Sequence, residues 1–276
     1  MRQGKGKLSL LNSDLKYCEG ETPEIGFEGT YNGNDYAIIG LTLDETDAEA
    51  SAGKPTALFR LVGPTGHIHN LRFEDVDIQS ANGAATVAGI LMGTIEYVNI
   101  GGFVNISGNF SVGGIASFIV PGSETIVPEI SNVQVGAGNL INNGLGVATP
   151  TESGAGGILG TSLFGRIHTS TSAINVTWER TDDAIDLSAS IGPAAGGAVG
   201  RATGITISDV HTSGQIEGIH SVGGIIGSMT AFDLTECTLS SSTSSGDIIG
   251  VGGGIGGIAG ELNARACNVG SMGSTS

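Results

Sequence analysis

A paired-glycine signature, repeated at uneven intervals, restricts the fold of this chain more than any other feature. It reads as a small or apolar residue, two glycines, one or two apolar residues and a small residue. Full copies are Val112-Gly113-Gly114-Ile115-Ala116-Ser117, Ala155-Gly156-Gly157-Ile158-Leu159-Gly160, Ala195-Gly196-Gly197-Ala198-Val199-Gly200, Val222-Gly223-Gly224-Ile225-Ile226-Gly227 and Gly256-Gly257-Ile258-Ala259-Gly260. Ala88-Gly89-Ile90-Leu91 is a weaker copy, and Ala57-Leu58-Phe59 holds the same place without paired glycines. The first glycines of the full copies lie 43, 40, 27 and 33 residues apart, so one part of each unit is fixed and another carries loops of variable length. Glycine weakens a strand by roughly 0.5–1 kcal/mol relative to alanine, so its recurrence points to corners or close approaches where a Cβ would collide.

Each signature is followed by a short strand-like segment bounded by Gly, Asn and Ser, such as Ile68-His69-Asn70-Leu71, Ile95-Glu96-Tyr97-Val98, Ile130-Ser131-Asn132-Val133 and Ile207-Ser208-Asp209-Val210. Leu234-Thr235-Glu236-Cys237 and Ala264-Arg265-Ala266-Cys267 continue the series. A unit of two short strands cannot bury its own apolar side, whereas stacked units cover one another. The expected fold is therefore all-β, a right-handed parallel β-helix with variable loops between coils. The registration predicts one inward column of Leu71, Val98, Val133, Val210, Cys237 and Cys267, and a second of Ile90, Ile115, Ile158, Ala198, Ile225 and Ile258. Residues 1–22 read as an N-terminal flank or cap and 23–276 as the repeat domain, part of a longer protein.

The repeats resemble the GLUG-type repeat of bacterial surface proteins, found in adhesins and in non-catalytic regions of immunoglobulin A peptidases. The resemblance rests on the opening Phe27-Glu28-Gly29-Thr30-Tyr31-Asn32-Gly33-Asn34 with Ile38-Ile39-Gly40-Leu41, and on Gly-Gly-Ile-x-Gly followed by an Ile-Ser-Asn-Cys-like segment. It implies an extracellular or cell-surface location and an adhesin-like role. Ser117 departs from the pattern, and Ile167 to Val176 offers two alignments.

Charge narrows the partners. With 27 acidic against 11 basic residues and a formal net charge of -16, the chain has no basic patch to neutralise phosphates, so nucleic acid is not an expected partner. The expected partner is a surface protein or a glycan. No stretch reaches transmembrane length and no secretory signal precedes the repeats, so the chain is either cytoplasmic or a segment of a longer exported protein, and the repeats favour the second. A solenoid end without a cap also predicts end-to-end self-association.

No constellation carries an obvious chemistry, and no catalysis is expected. Trp178, the one tryptophan, stands beside an acidic loop with Asp182 and Asp183, and these three are the ligand-binding candidates. Packing of Trp178 under that loop is the ordinary alternative. A polysaccharide-binding or polysaccharide-cleaving β-helix would need paired carboxylates on one groove. Glu74, Asp75 and Asp77, or Asp182, Asp183 and Asp186, are the candidates, with Arg72 the nearest cation. Alternation along a strand places Asp75 and Asp77 on one face. Calcium, a hard ion that takes carboxylate oxygens, would suit the run Asp44, Glu45, Asp47, Glu49 or the Asp182/Asp183 pair, although neither matches a known loop motif. His67 and His69 also share a strand face; a metal pair there competes with a plain polar pair. Cys18 is isolated, while Cys237 and Cys267 lie one coil apart and read as buried thiols, with a disulfide as the alternative.

Overall fold

The computed structural model describes residues 26–47, 54–122, 126–144, 153–179, 192–230, 237–263, 267–269 and 272–274. Among the described residues the regular structure is all β, and every strand pairing is parallel. The strands form three sheets. One unit illustrates the path. Ser111–Gly113 lies in the second sheet and Ala116–Ile119 in the third; Glu129–Ser131, Gln134–Val135 and Asn139–Asn142 lie in the first. The chain then returns to the second sheet as Gly154–Gly156, paired in register with Ser111–Gly113. Each unit thus adds one rung to each sheet, and the apolar side of one rung is covered by the next.

Side chains of like kind stack inside. Ile68, Ile95, Ile130, Ile167, Ile207 and Leu239 are register partners from rung to rung and are all fully buried. A second column is Leu71, Val98, Val133, Ser170, Val210 and Ser242. Here the expected membership changes. Cys237 and Cys267 do pair with each other, but in the column of Ile205; Ser242 stands beside Val210. Leu234 to Glu236 and Ala264 to Ala266 lie outside the described residues. Ser170 resolves the two alignments of 167–176. Its buried hydroxyl donates to the His168 carbonyl (2.7 Å) and accepts from Val133 N–H of the preceding rung (3.3 Å). Ser242 repeats that arrangement toward Ser240 and Val210. A satisfied hydroxyl therefore replaces an apolar side chain without stranding a polar atom.

The two inward columns are three residues apart, not two, because a corner intervenes. Asn70, Tyr97, Asn132, Thr169, Asp209 and Ser241 occupy equivalent positions, and all have φ between 49° and 54°. This left-handed conformation turns the strand and resets its alternation, so Ile68 and Leu71 both point inward. Asn and Asp tolerate it best, which explains the polar residues at this place.

In the third column Ile115, Ile158, Ala198 and Ile225 stack as expected, but the preceding member is Val87 rather than Ile90. Ile90 pairs with Phe118 and is only half buried. The unit holding Val87 carries Ala85-Thr86 where later units carry Gly-Gly, so the glycine at position 89 misaligns the motif by three residues. The paired glycines line a narrow arch between the second and third sheets. A Cβ on Gly156 would collide with the Leu159 carbonyl and come within 2.5 Å of Gly200 N; one on Gly157 would strike Ser172 Oγ and the Gly197 carbonyl. The first glycine lets the coil fold back on itself, and the second admits a side chain from the first sheet.

Candidate functional site

Among the described residues, the outer faces and corners carry several groups of titratable side chains. On the strand His67–Ser80, His67 and His69 flank the inward Ile68, so both rings project outward. Their centroids are 4.5 Å apart with planes 22° from parallel. The next rung, on Thr94–Gly108, sets Glu96 directly beside His69. Its Oε1 lies 2.9 Å from His67 Nε2. Ligand atoms from His67, His69 and Glu96 all lie within 4.8 Å of one another, and all three residues are half buried. On His69, Nδ1 lies 2.9 Å from Asn70 Nδ2.

The same outer face carries a second pair two rungs on, His168 Nε2 to Glu129 Oε1 at 3.2 Å. Beyond the corner His211 lies 3.3 Å from Asp209. These are two-group pairs; the cluster at His67 has a third member. The pairing of His67 with His69 was legible from alternation. Glu96 was not, because it is 27 residues from His69 and becomes its neighbour only through the length of one coil.

The carboxylates singled out near residues 74–77 are each engaged separately. Glu74 pairs with Arg72 at 2.8 Å on an exposed face. Asp75 accepts the Phe103 N–H (2.9 Å) at a backbone irregularity, and Asp77 accepts from Asn105 Nδ2 (2.8 Å). Asp75 itself has φ 62°, a second corner. Val76 between Asp75 and Asp77 is fully buried, so both carboxylates lie outside the core, but the left-handed turn is at Asp75 and each carboxylate is held by a different donor. In the other acidic run, Asp44 accepts from the Thr46 hydroxyl (2.9 Å), whereas Glu45 reaches to Thr56 (3.0 Å) and Arg60 (3.7 Å). The two therefore serve different local contacts, while Glu49 lies outside the described residues.

Trp178 is 3% exposed, and its indole N–H donates to Ser153 Oγ at 3.1 Å. It sits in a column with Asn142 and belongs to the apolar core. It offers no open ring to a ligand, which corrects its place among the binding candidates. The ring fills space beside Gly144, where a Cβ would meet it. Asp182, Asp183 and Asp186 lie outside the described residues. Among the described residues, the most exposed aromatic rings are Tyr36 (77%), Tyr97 (54%) and Phe103 (61%). Sequence reading missed them because it followed the rarest aromatic rather than those at corner and bulge positions.

Cys237 is disulfide-bonded, and the residue beside it on the next rung is Cys267. The expectation of free buried thiols is thereby replaced for Cys237. His220 is buried, with Nδ1 3.0 Å from Ser221 Oγ. Among the described residues no helix is long and apolar enough to cross a membrane.

Comparison with known proteins gives one partial likeness. Over 89 residues the chain is 35% identical to "Halomucin" of Haloquadratum walsbyi, a match covering 32% of this chain and 1% of halomucin. The chain thus spans a very small part of that relative's length. No family model matches the chain. No solved structure matches it.

Proposed function

We propose that this chain is a non-catalytic, adhesin-like module of a cell-surface protein, built as a right-handed parallel β-helix of the GLUG type. The observation that carries the reading is the stacking of rungs in three parallel sheets with loops of unequal length between them. Such a body spaces and presents a surface. The hand follows from the strong right-handed preference of parallel crossover connections. A net charge of -16 suits a solvated surface in a salty medium. The disulfide at Cys237 favours an oxidising compartment.

The recognition surface is the set of exposed rings, Tyr36, Tyr97 and Phe103, lying on neighbouring rungs with the Arg72–Glu74 pair. Flat aromatic rings beside polar groups suit a glycan, which makes polysaccharide binding the second reading. Eight register positions from Tyr31 to Val269 at about 4.8 Å each predict a stack about 34 Å long. Small-angle scattering checks that dimension. A panel of neutral and acidic glycans, read for both binding and product, checks the function: retention without product supports it. Released oligosaccharide refutes the non-catalytic part, and a panel with neither retention nor product removes the glycan reading.

A further inference from the structure

We infer that His67, His69 and Glu96 form a binding site for a divalent transition-series ion, with Zn2+ as its representative. Two imidazoles and one carboxylate are the donor set that such ions take, and imidazole disfavours calcium, the ion that the acidic runs suggested. The three residues come from two successive rungs of a parallel sheet, whose backbone hydrogen bonds fix their spacing. The rings already lie 4.5 Å apart, and the carboxylate is in contact with one of them at 2.9 Å. Small adjustments of side-chain torsions bring donor atoms within 4.8 Å of each other to the roughly 2.0–2.2 Å metal–ligand distances of zinc. As placed, Asn70 Nδ2 donates to His69 Nδ1 at 2.9 Å; for His69 to bind an ion through Nε2, the Asn70 amide turns its oxygen to that nitrogen and accepts the Nδ1 proton. No Lys or Arg lies at the register positions beside the cluster, which are Thr30, Asn32, Thr94 and Ser131. Three protein ligands leave a coordination position for water or for a donor from another molecule.

The test uses tag-free chain freed of metal with a chelator and titrated with Zn2+ by calorimetry. One equivalent is expected to bind saturably, and millimolar Ca2+ leaves that binding in place. His69→Ala and Glu96→Gln each weaken it at least tenfold, whereas His168→Ala, which removes the two-group pair on the same face, leaves it unchanged. Far-UV circular dichroism establishes that each variant folds. Histidine-ring NMR of the unaltered chain gives a readout independent of any variant: Zn2+ shifts two rings, and His67→Gln or His69→Gln identifies them, while the His211 ring stays in place. Absence of saturable binding overturns the inference. So does binding that survives both His69→Ala and Glu96→Gln, or binding that His168→Ala abolishes.

Discussion

Replacing Gly156 by alanine tests the arch on which the stacked architecture depends. The added methyl group collides with the Leu159 carbonyl of its own coil and reaches within 2.5 Å of Gly200 N and 2.7 Å of the Ala198 carbonyl on the next. All of these are backbone atoms, so no side-chain rotation relieves the overlap. Forcing a methyl group into such a space costs about 1–3 kcal/mol. The displacement also loosens the hydrogen bonds Gly114 N–H to Gly156 C=O and Gly157 N–H to Gly196 C=O, both already 3.3 Å long, at about 1 kcal/mol each. The expected loss is about 3–5 kcal/mol, a large part of a typical stability of about 5–15 kcal/mol. With a urea dependence of about 2 kcal/mol per molar, the unfolding midpoint falls by about 1.5–2.5 M. The buried indole of Trp178 supplies the fluorescence signal, since its strand Asn175–Trp178 belongs to the same coil. Gly101→Ala is the control. Its nearest neighbour is Asn99 Oδ1 at 3.8 Å, and stiffening the unfolded chain is expected to leave it neutral or about 0.4–1 kcal/mol more stable. A Gly156→Ala midpoint indistinguishable from that of the unaltered chain would refute the close-approach argument.

Further outcomes follow from other positions. Thr169 is a β-branched residue held at φ 49° where its neighbour one rung back is Asn132; Thr169→Asn is expected to raise stability by about 0.5–1 kcal/mol in the same urea assay. Truncating the fully buried Ile158 to alanine is expected to cost about 2–5 kcal/mol, and a loss under 1 kcal/mol would contradict its place in the core. If Cys267 is the partner of Cys237, thiol titration in denaturant finds one reactive thiol among the three cysteines, and Cys267→Ser exposes a second. Closing a loop of that 30-residue separation contributes about 3–4 kcal/mol, so reduction should lower the midpoint by a matching amount.

The paired glycines and the short apolar segments between polar residues were enough to imply stacked β units, because both reflect local backbone demands repeated in every unit. Ile115, Ile158, Ala198 and Ile225 were placed correctly for that reason. Register across unequal loops was another matter. Ser170 and Ser242 took places that an apolar count would not assign, since a buried hydroxyl is acceptable only when the carbonyl and amide that satisfy it are in reach. Val87 displaced Ile90 where a unit lacked its glycine pair. Polar Asn70, Asn132 and Asp209 recur before the inward column in sequence, but the left-handed corner they form and its effect on alternation were not legible there. Asp75, at a left-handed turn, and Asp77 both lie outside the buried Val76, yet Asp75 is tied to the Phe103 amide and Asp77 to Asn105, which spacing alone does not reveal. The meeting of His67 and His69 with Glu96 belongs to the same class: alternation joins the two histidines, and only inter-rung pairing brings in the carboxylate. Sequence by itself determined that the units stack, because glycine and β-branched residues act within a few positions; the tertiary structure decided which side chains meet, because that depends on how many residues each coil spends before returning to the same sheet.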